Sequence, residues 1–222
     1  MKRRSTLKEN RAGSETLARQ AYTVLEEMIL TLELKPGAIL NEQQLIAKTG
    51  FGRTPLREAL LRLARERLVR VLPRKGIIVS EINPSDFHSL LETRRVIDGL
   101  IASQASARAT AEQRRRLREL ARLMETTAKK NQLREYMRLD QEFDTLVEEA
   151  CNNPFAVRAV KPLHAHCRRF WFQYRHAGDL MRAAHLHSVL MKSIADGNRK
   201  KAAIASSALV DYLAEFARES IA

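Results

Sequence analysis

The stretch Gly50-Phe51-Gly52-Arg53-Thr54-Pro55-Leu56-Arg57-Glu58-Ala59 decides the fold, because it opens a helix whose outward face carries two arginines one turn apart. Pro55 suits a first helical turn, where its missing N–H costs nothing, and Gly52 or Thr54 can begin that turn. The spacing predicts a helix from near Arg53, with Leu56, Leu60 and Leu63 as the buried stripe and Arg53 and Arg57 pointing away from it. Just before it, Asn41 to Lys48 is a short amphipathic segment with Leu45, Ile46 and Ala47, set off by Gly50. Two short helices so joined make a helix-turn-helix, whose second helix enters a DNA major groove. An arginine there offers the O6 and N7 of guanine two parallel hydrogen bonds, a geometry that lysine lacks.

The flanking residues complete a small domain. Leu17, Ala21, Val24, Leu25, Met28 and Ile29 keep helical spacing, so a supporting helix is expected over Leu17 to Leu32, stopped by Lys35-Pro36-Gly37. After the second arginine-bearing helix, Leu68 to Leu72 and Ile77 to Ser80 are short β-branched runs around Pro73-Arg74-Lys75-Gly76, which signals a hairpin. Arg74, Lys75 and Gly76 at its tip are candidates for a minor groove or a phosphate, and Arg53, Thr54 and Arg57 for the major groove.

Lys35-Pro36-Gly37, Leu40 to Leu45, the run RTPLREALLRLARERLV from Arg53 and the Pro73-to-Gly76 turn together resemble the winged helix-turn-helix of the GntR family of bacterial transcription regulators. The likeness runs from about Leu17 to Ser80. The chain departs from the family at two positions, having Gly52 where the family has serine and Arg67 where it has glycine. The first removes a hydroxyl that caps the helix or touches a phosphate, so a small loss of affinity is expected and no change of fold.

The totals agree with a polyanionic partner. The 222 residues carry a formal charge of +13, and 45% apolar composition supports a proper core. Residues 1–80 hold 16 Lys and Arg against 8 Asp and Glu, so about a third of the chain carries eight of those thirteen charges. No apolar run reaches the roughly 18 residues needed to span a bilayer, and Lys2-Arg3-Arg4 precedes polar residues rather than a signal-peptide core. Cys151 and Cys167 are too few for a disulfide framework and too far apart for a zinc site. A soluble cytoplasmic protein, with no membrane partner, is expected.

The expected organisation is a basic arm over residues 1–16, a winged helix-turn-helix over 17–81 and an all-α antiparallel bundle over 84–220, making the chain mainly α. Breaks at Thr110, Lys130-Asn131, Asn153-Pro154, Gly178 and Gly197-Asn198 divide the bundle into about six helices. They are Pro84 to Ala107, Ala111 to Ala128, Gln132 to Cys151, Pro154 to Arg175, Asp179 to Asp196 and Arg199 to Glu219. Leu91 to Leu100, Asp140 to Pro154 and His187 to Ala202 make this half similar to the FCD ligand-binding domain of the FadR branch. The count of six helices lies nearer its VanR-like subgroup.

Polar residues on apolar stripes mark the bundle's interior, since burial without a partner is costly. Arg94 falls on the stripe of Phe87, Leu90, Ile97 and Ile101; Asp140 on that of Tyr136, Phe143 and Val147, with Asp144 one turn later; His187 on that of Leu180, Ala184, Met191 and Ile194. These four are the candidate effector-binding residues, and Arg94 suggests an organic acid because a guanidinium binds a carboxylate through two bonds. The resemblance implies a divalent metal with ligands at Asp140, Asp144, His187 and position 209, but Leu209 cannot bind one. Two readings stand: the carboxylates pair with Arg94 or another buried base, or a metal is weakly retained or absent, with manganese or magnesium suiting the oxygen-rich remnant better than zinc. His164, His166, His176 and His185 add possible donors.

The resemblance therefore implies an effector-responsive regulator of double-stranded DNA, a homodimeric repressor on a palindromic operator, and not an enzyme. A metalloenzyme in the helical bundle is the opposing class, and no nucleophile with an adjacent base supports it. A non-specific architectural DNA binder is the third, and it needs no inward polar cluster.

Overall fold

Capping chemistry sets the helices of the first half. The computed structural model describes residues 16–72, 76–176 and 178–221. In α1, Leu17–Leu30, the Thr16 side chain accepts from the Arg19 N–H. In α2, Glu42–Thr49, Asn41 accepts from the Gln43 and Gln44 N–H groups, satisfying two donors that the first turn leaves open. Gly50 ends α2 with a left-handed φ of 75°, which glycine adopts without penalty, and α3 follows as Arg53–Arg65. Gly52 is the N-cap of α3 and makes no side-chain cap bond, so the missing serine hydroxyl is a real omission. Arg67 has a φ of 61°, the conformation for which glycine is the low-cost residue.

α1 ends two residues earlier than its apolar spacing predicts, because Leu32 takes a left-handed φ of 59°. The hairpin strands are β2, Val69–Leu72, and β3, Gly76–Val79, antiparallel with Val69 opposite Val79. A third strand, β1 (Ile39–Leu40), joins the other side of β3, giving the order β1-β3-β2. Leu25, Ile29, Leu56, Leu60, Leu63 and Leu68 are almost fully buried and form this unit's core. At its edge the Tyr22 hydroxyl donates to Glu26 and Glu66, and the Arg62 guanidinium lies 3.5 Å from the Tyr22 ring centroid.

The chain divides after residue 82. Among the described residues the second unit is a bundle of six helices: α4 (Pro84–Arg108), α5 (Ala111–Lys129), α6 (Leu133–Cys151), α7 (Pro154–Tyr174), α8 (Asp179–Ala195) and α9 (Arg199–Ile221). Asn83 and Asn153 cap α4 and α7, each with proline next in the first turn, and Thr110 with Gln113 makes a capping box on α5. The main packings are α4 with α9 and α5 with α8. Arg114 of α5 ties this frame together, donating to the Ser106 and Ala109 carbonyls at the end of α4 and the Ile194 and Ala195 carbonyls at the end of α8. A cation over these open carbonyls also opposes the negative end of each helix dipole. Among the described residues no helix is long and apolar enough to cross a membrane.

Candidate functional site

Two surfaces carry the candidate residues, one in each unit. On α3, Arg53, Thr54 and Arg57 are exposed while Leu56, Leu60 and Leu63 are buried, so the outward face expected from the spacing is present. The Arg57 Nε donates to Glu42 Oε1 at 2.9 Å, a contact across the helix-turn-helix that the sequence does not announce. Gly76 opens β3 with a φ of 87°, which accounts for glycine there. Arg74 and Lys75, the expected wing-tip contacts, lie outside the described residues, as do residues 1–15 of the expected arm.

In the bundle, side chains from α4, α6, α7, α8 and α9 line a cavity enclosing about 790 Å3 with its open mouth included. Part of the lining is apolar and aromatic, with Tyr136, Phe143, Trp171, Leu209, Tyr212 and Leu213. The Trp171 indole donates to the Tyr212 hydroxyl at 2.9 Å, fixing both rings. The polar part of the lining holds Arg94, Asp140, Asp144 and His187 and adds Asp98, His164 and Arg168.

These polar groups form a chain of ion pairs and hydrogen bonds. Arg94 donates to Asp98 Oδ2 at 2.8 and 2.9 Å, and His164 Nε2 lies 2.8 Å from Asp98 Oδ1. The other His164 nitrogen, Nδ1, makes a 2.6 Å ion-pair contact with Asp144 Oδ2 without hydrogen-bond alignment. Arg168 bridges the two carboxylates of α6, donating from Nε to Asp140 and from Nη2 to Asp144. His187 completes the chain, with Nε2 2.9 Å from Asp140 Oδ1 and Nδ1 2.8 Å from the Ala183 carbonyl.

Each ionisation follows from a neighbour. Burial alone would raise Asp98, but Arg94 and His164 outweigh it and bring the carboxyl down to about 2. Burial alone would lower His164, but Asp144 and Asp98 on either side raise it to about 9, and Arg94 opposes them only in part. Asp140 and Asp144 are held below the usual carboxylate range against a burial cost that acts the other way, chiefly by Arg168 for Asp140 and by His164 and Arg168 for Asp144.

The sign of the His164 effect gives a prediction. An imidazole raised in the folded state contributes stability that is complete below about pH 6.5 and is lost as the pH climbs through about 9. For a group this buried the contribution is on the order of 3 kcal/mol. Its surroundings are Arg94 and Asp98 of α4, Asp144 and Glu148 of α6 and Arg168 of α7. Urea unfolding followed from pH 6 to 9.5 should show this decline in the unaltered chain and a much flatter profile in His164→Gln. Equal slopes in both would remove His164 as the cause.

Arg94 points inward, and Asp98 one turn along α4 holds its Nε and Nη2. Arg168, which is not among the candidate residues of the sequence, ties α7 to α6 through Asp140 and Asp144, beside the Lys161–Glu148 and His164–Asp144 pairs. The i,i+4 spacings of Asp98 to Arg94 and of His164 to Arg168 were the available signals.

With both surfaces described, comparison with known proteins identifies the chain's kind. Residues 17–79 match the pattern of bacterial regulatory proteins of the gntR family, and residues 89–212, more than half of the chain, match the FCD domain. The chain belongs to the GntR family, with an FCD domain. It is accordingly a transcription regulator with a helix-turn-helix DNA-binding domain. Over 73 residues it is 48% identical to an HTH-type transcriptional regulator in an unstable DNA locus of Streptomyces ambofaciens, covering 33% of this chain and 31% of that one. It is 24% identical over 152 residues to the HTH-type transcriptional repressor RspR of Escherichia coli, covering 68% of this chain and 67% of RspR. The fold is also that of Escherichia coli McbR/YncC, with a TM-score of 0.82 at 17% identity over 94% of this chain and all of that one.

The metal that the family resemblance implies does not fit the residues of this GntR-family regulator. The Arg168 guanidinium bonds both Asp140 and Asp144, and position 209 is a buried leucine. Among the described residues, no three His, Cys, Asp or Glu side chains are arranged to hold a metal ion.

Proposed function

We propose that this regulator is a homodimeric repressor of a palindromic operator, and that a small molecule in the bundle cavity sets its affinity for DNA. The observation that carries the reading is the presence, in one chain, of an outward arginine face on α3 and, in a separate helical unit, a cavity lined by both aromatic and charged side chains. The cavity combines apolar and aromatic side chains with a few fixed polar groups, as ligand sites do. Since Arg94 and Arg168 are both tied to aspartates, the ligand proposed is uncharged, with an apolar body against Tyr136, Phe143 and Trp171 and hydrogen-bonding groups toward Asp140 and Arg168. The likeness to RspR supports repression.

The test is fluorescence anisotropy on DNA flanking the chain's own gene, with random DNA as competitor, followed by a screen of matched acids, amides and alcohols. Binding that random DNA abolishes at equal concentration would make the chain an architectural binder instead. Stabilisation by acids alone would overturn the uncharged ligand and leave the regulator standing.

A twofold dimer is proposed because one short helix reads few base pairs, while two read a palindrome. Val96 and Leu100 of α4 and Ile204 of α9 are exposed apolar residues on adjoining helices, which Arg95 links by bonds to Ser207 and Asp211. A second copy of the chain would cover them. Val96→Asp, at a position 73% exposed, should keep the helical circular dichroism of the unaltered chain while producing a monomer by light scattering. A dimer of unchanged affinity would place the interface elsewhere.

A further inference from the structure

Ser206 of α9 lines the bundle cavity and is only 2% exposed. A helical serine commonly spends its proton on the carbonyl one turn back, as Ser193 does on Val189 and Ser220 on Phe216, both at 2.8 Å. Ser206 makes no such bond, and among the described residues its hydroxyl has no hydrogen-bond partner. A buried hydroxyl left so is a net cost to folding, which an oxygen of a bound molecule offsets. A second proton is unspent on α6. The Tyr136 hydroxyl lies 3.2 Å from His187 Nδ1, but that nitrogen is 2.8 Å from the Ala183 carbonyl, which can only accept. Nδ1 therefore carries the hydrogen and has no lone pair for the Tyr136 proton. Burial holds the Tyr136 phenol well above the usual tyrosine range, so it stays a donor, and it too lines the cavity while only 3% exposed. The charged side chains of the lining are already paired with one another, and Trp171 donates to Tyr212.

We infer that the effector is an uncharged carbonyl compound, such as a ketone, ester or amide, and that Ser206 and Tyr136 are the residues that donate to its oxygens. The inference rests on the small-molecule reading above and gives that molecule a chemical class. Two hydroxyl protons without acceptors call for a ligand rich in acceptors. A carbonyl oxygen is a strong one, whereas a carboxylate would add negative charge beside Asp98, Asp140 and Asp144. An alcohol would bring a further proton of its own to place.

The experiment titrates acetophenone, methyl benzoate and benzamide into the full chain, Ser206→Ala and Tyr136→Phe by calorimetry, with ethylbenzene, benzyl alcohol and benzoate as matched controls. At least one carbonyl compound should bind the unaltered chain more tightly than all three controls. Each substitution should weaken that compound about 3- to 10-fold and leave ethylbenzene unaffected. Both substitutions delete one oxygen and keep the shape of the side chain. Ser206→Ala should leave the melting temperature of the ligand-free chain unchanged or raised, because only an unsatisfied hydroxyl is lost; a serine with a structural role would lower it. Equal carbonyl affinity in the unaltered chain and Ser206→Ala, a preference for benzyl alcohol or benzoate, or binding by none of the carbonyl compounds would overturn the inference. A loss confined to Ser206→Ala would overturn the part assigned to Tyr136. DNA is absent from these titrations, so the two readings fail separately. A carbonyl compound held by both hydroxyls that leaves DNA affinity unmoved would remove the proposed control of DNA binding and leave this inference standing, and a preferred alcohol or acid would do the reverse.

Discussion

Asp98→Ala should destabilise the bundle by about 3–5 kcal/mol, the largest effect expected of any single substitution considered for this chain. The carboxylate accepts from Arg94 on one oxygen and lies 2.8 Å from His164 on the other, and both partners are buried. Truncation leaves a guanidinium in the core without its counter-charge, and the cost is that of the stranded charge rather than the worth of the bond. The same substitution at Glu135, whose pair with Arg138 lies in solvent, should cost less than about 1 kcal/mol. Urea unfolding measures both: the midpoint should fall for Asp98→Ala with the slope unchanged, as for a lost interaction in an otherwise intact fold. Adding Asp98→Ala to an Arg94→Met background should cost far less, since little buried charge is then stranded. Equal losses in the two backgrounds would show that Asp98 does not act through Arg94. Acid adds a further check, because a carboxyl lowered to about 2 contributes stability above its ordinary range that is lost as the pH falls toward 2.

The helices were legible because their ends are chemical. Asn83 and Asn153 precede prolines, Thr110 has Gln113 three residues on, and Gly178 takes a left-handed φ, so each boundary is written in a few adjacent residues. The strand β1 was not legible, since two residues have no period and become a strand only because β3 lies beside them. The inward position of Arg94, Asp140 and His187 could be read from helical spacing, as position on a stripe is a local property. Their partners could not. The choice between Asp98 and Asp140 for Arg94, and between Arg94 and Arg168 for Asp140, depends on how α4, α6 and α7 meet, which no local pattern encodes. Arg168 was further obscured by its neighbours: Arg169 beside it and Phe170, Trp171 and Phe172 after it give α7 apolar residues on more than one side.

Arg57→Ala should erase the preference for operator over random DNA while leaving the fold intact. The discrimination expected from one bidentate arginine is roughly 5- to 150-fold. The residue lies on the open face of α3, its side chain 60% exposed, and its contact with Glu42 is an exposed pair whose loss matters little to stability. That pair bears on function instead, because Glu42 holds the guanidinium through Nε across α2 and α3 and places a carboxylate beside the base-reading arginine. Glu42→Gln should therefore strengthen binding to operator and random DNA alike by removing a negative charge near the backbone, while Arg57→Ala acts chiefly on the difference between them. Arg57→Lys is the decisive variant. It keeps the charge that attracts phosphate and loses the planar fork that reads guanine, so affinity for random DNA should survive while selectivity falls toward that of Arg57→Ala. Anisotropy titrations of all four proteins at one salt concentration supply the comparison. If Arg57→Lys retains full selectivity, Arg57 serves as a point charge, and base reading passes to Arg53 at the start of the same helix.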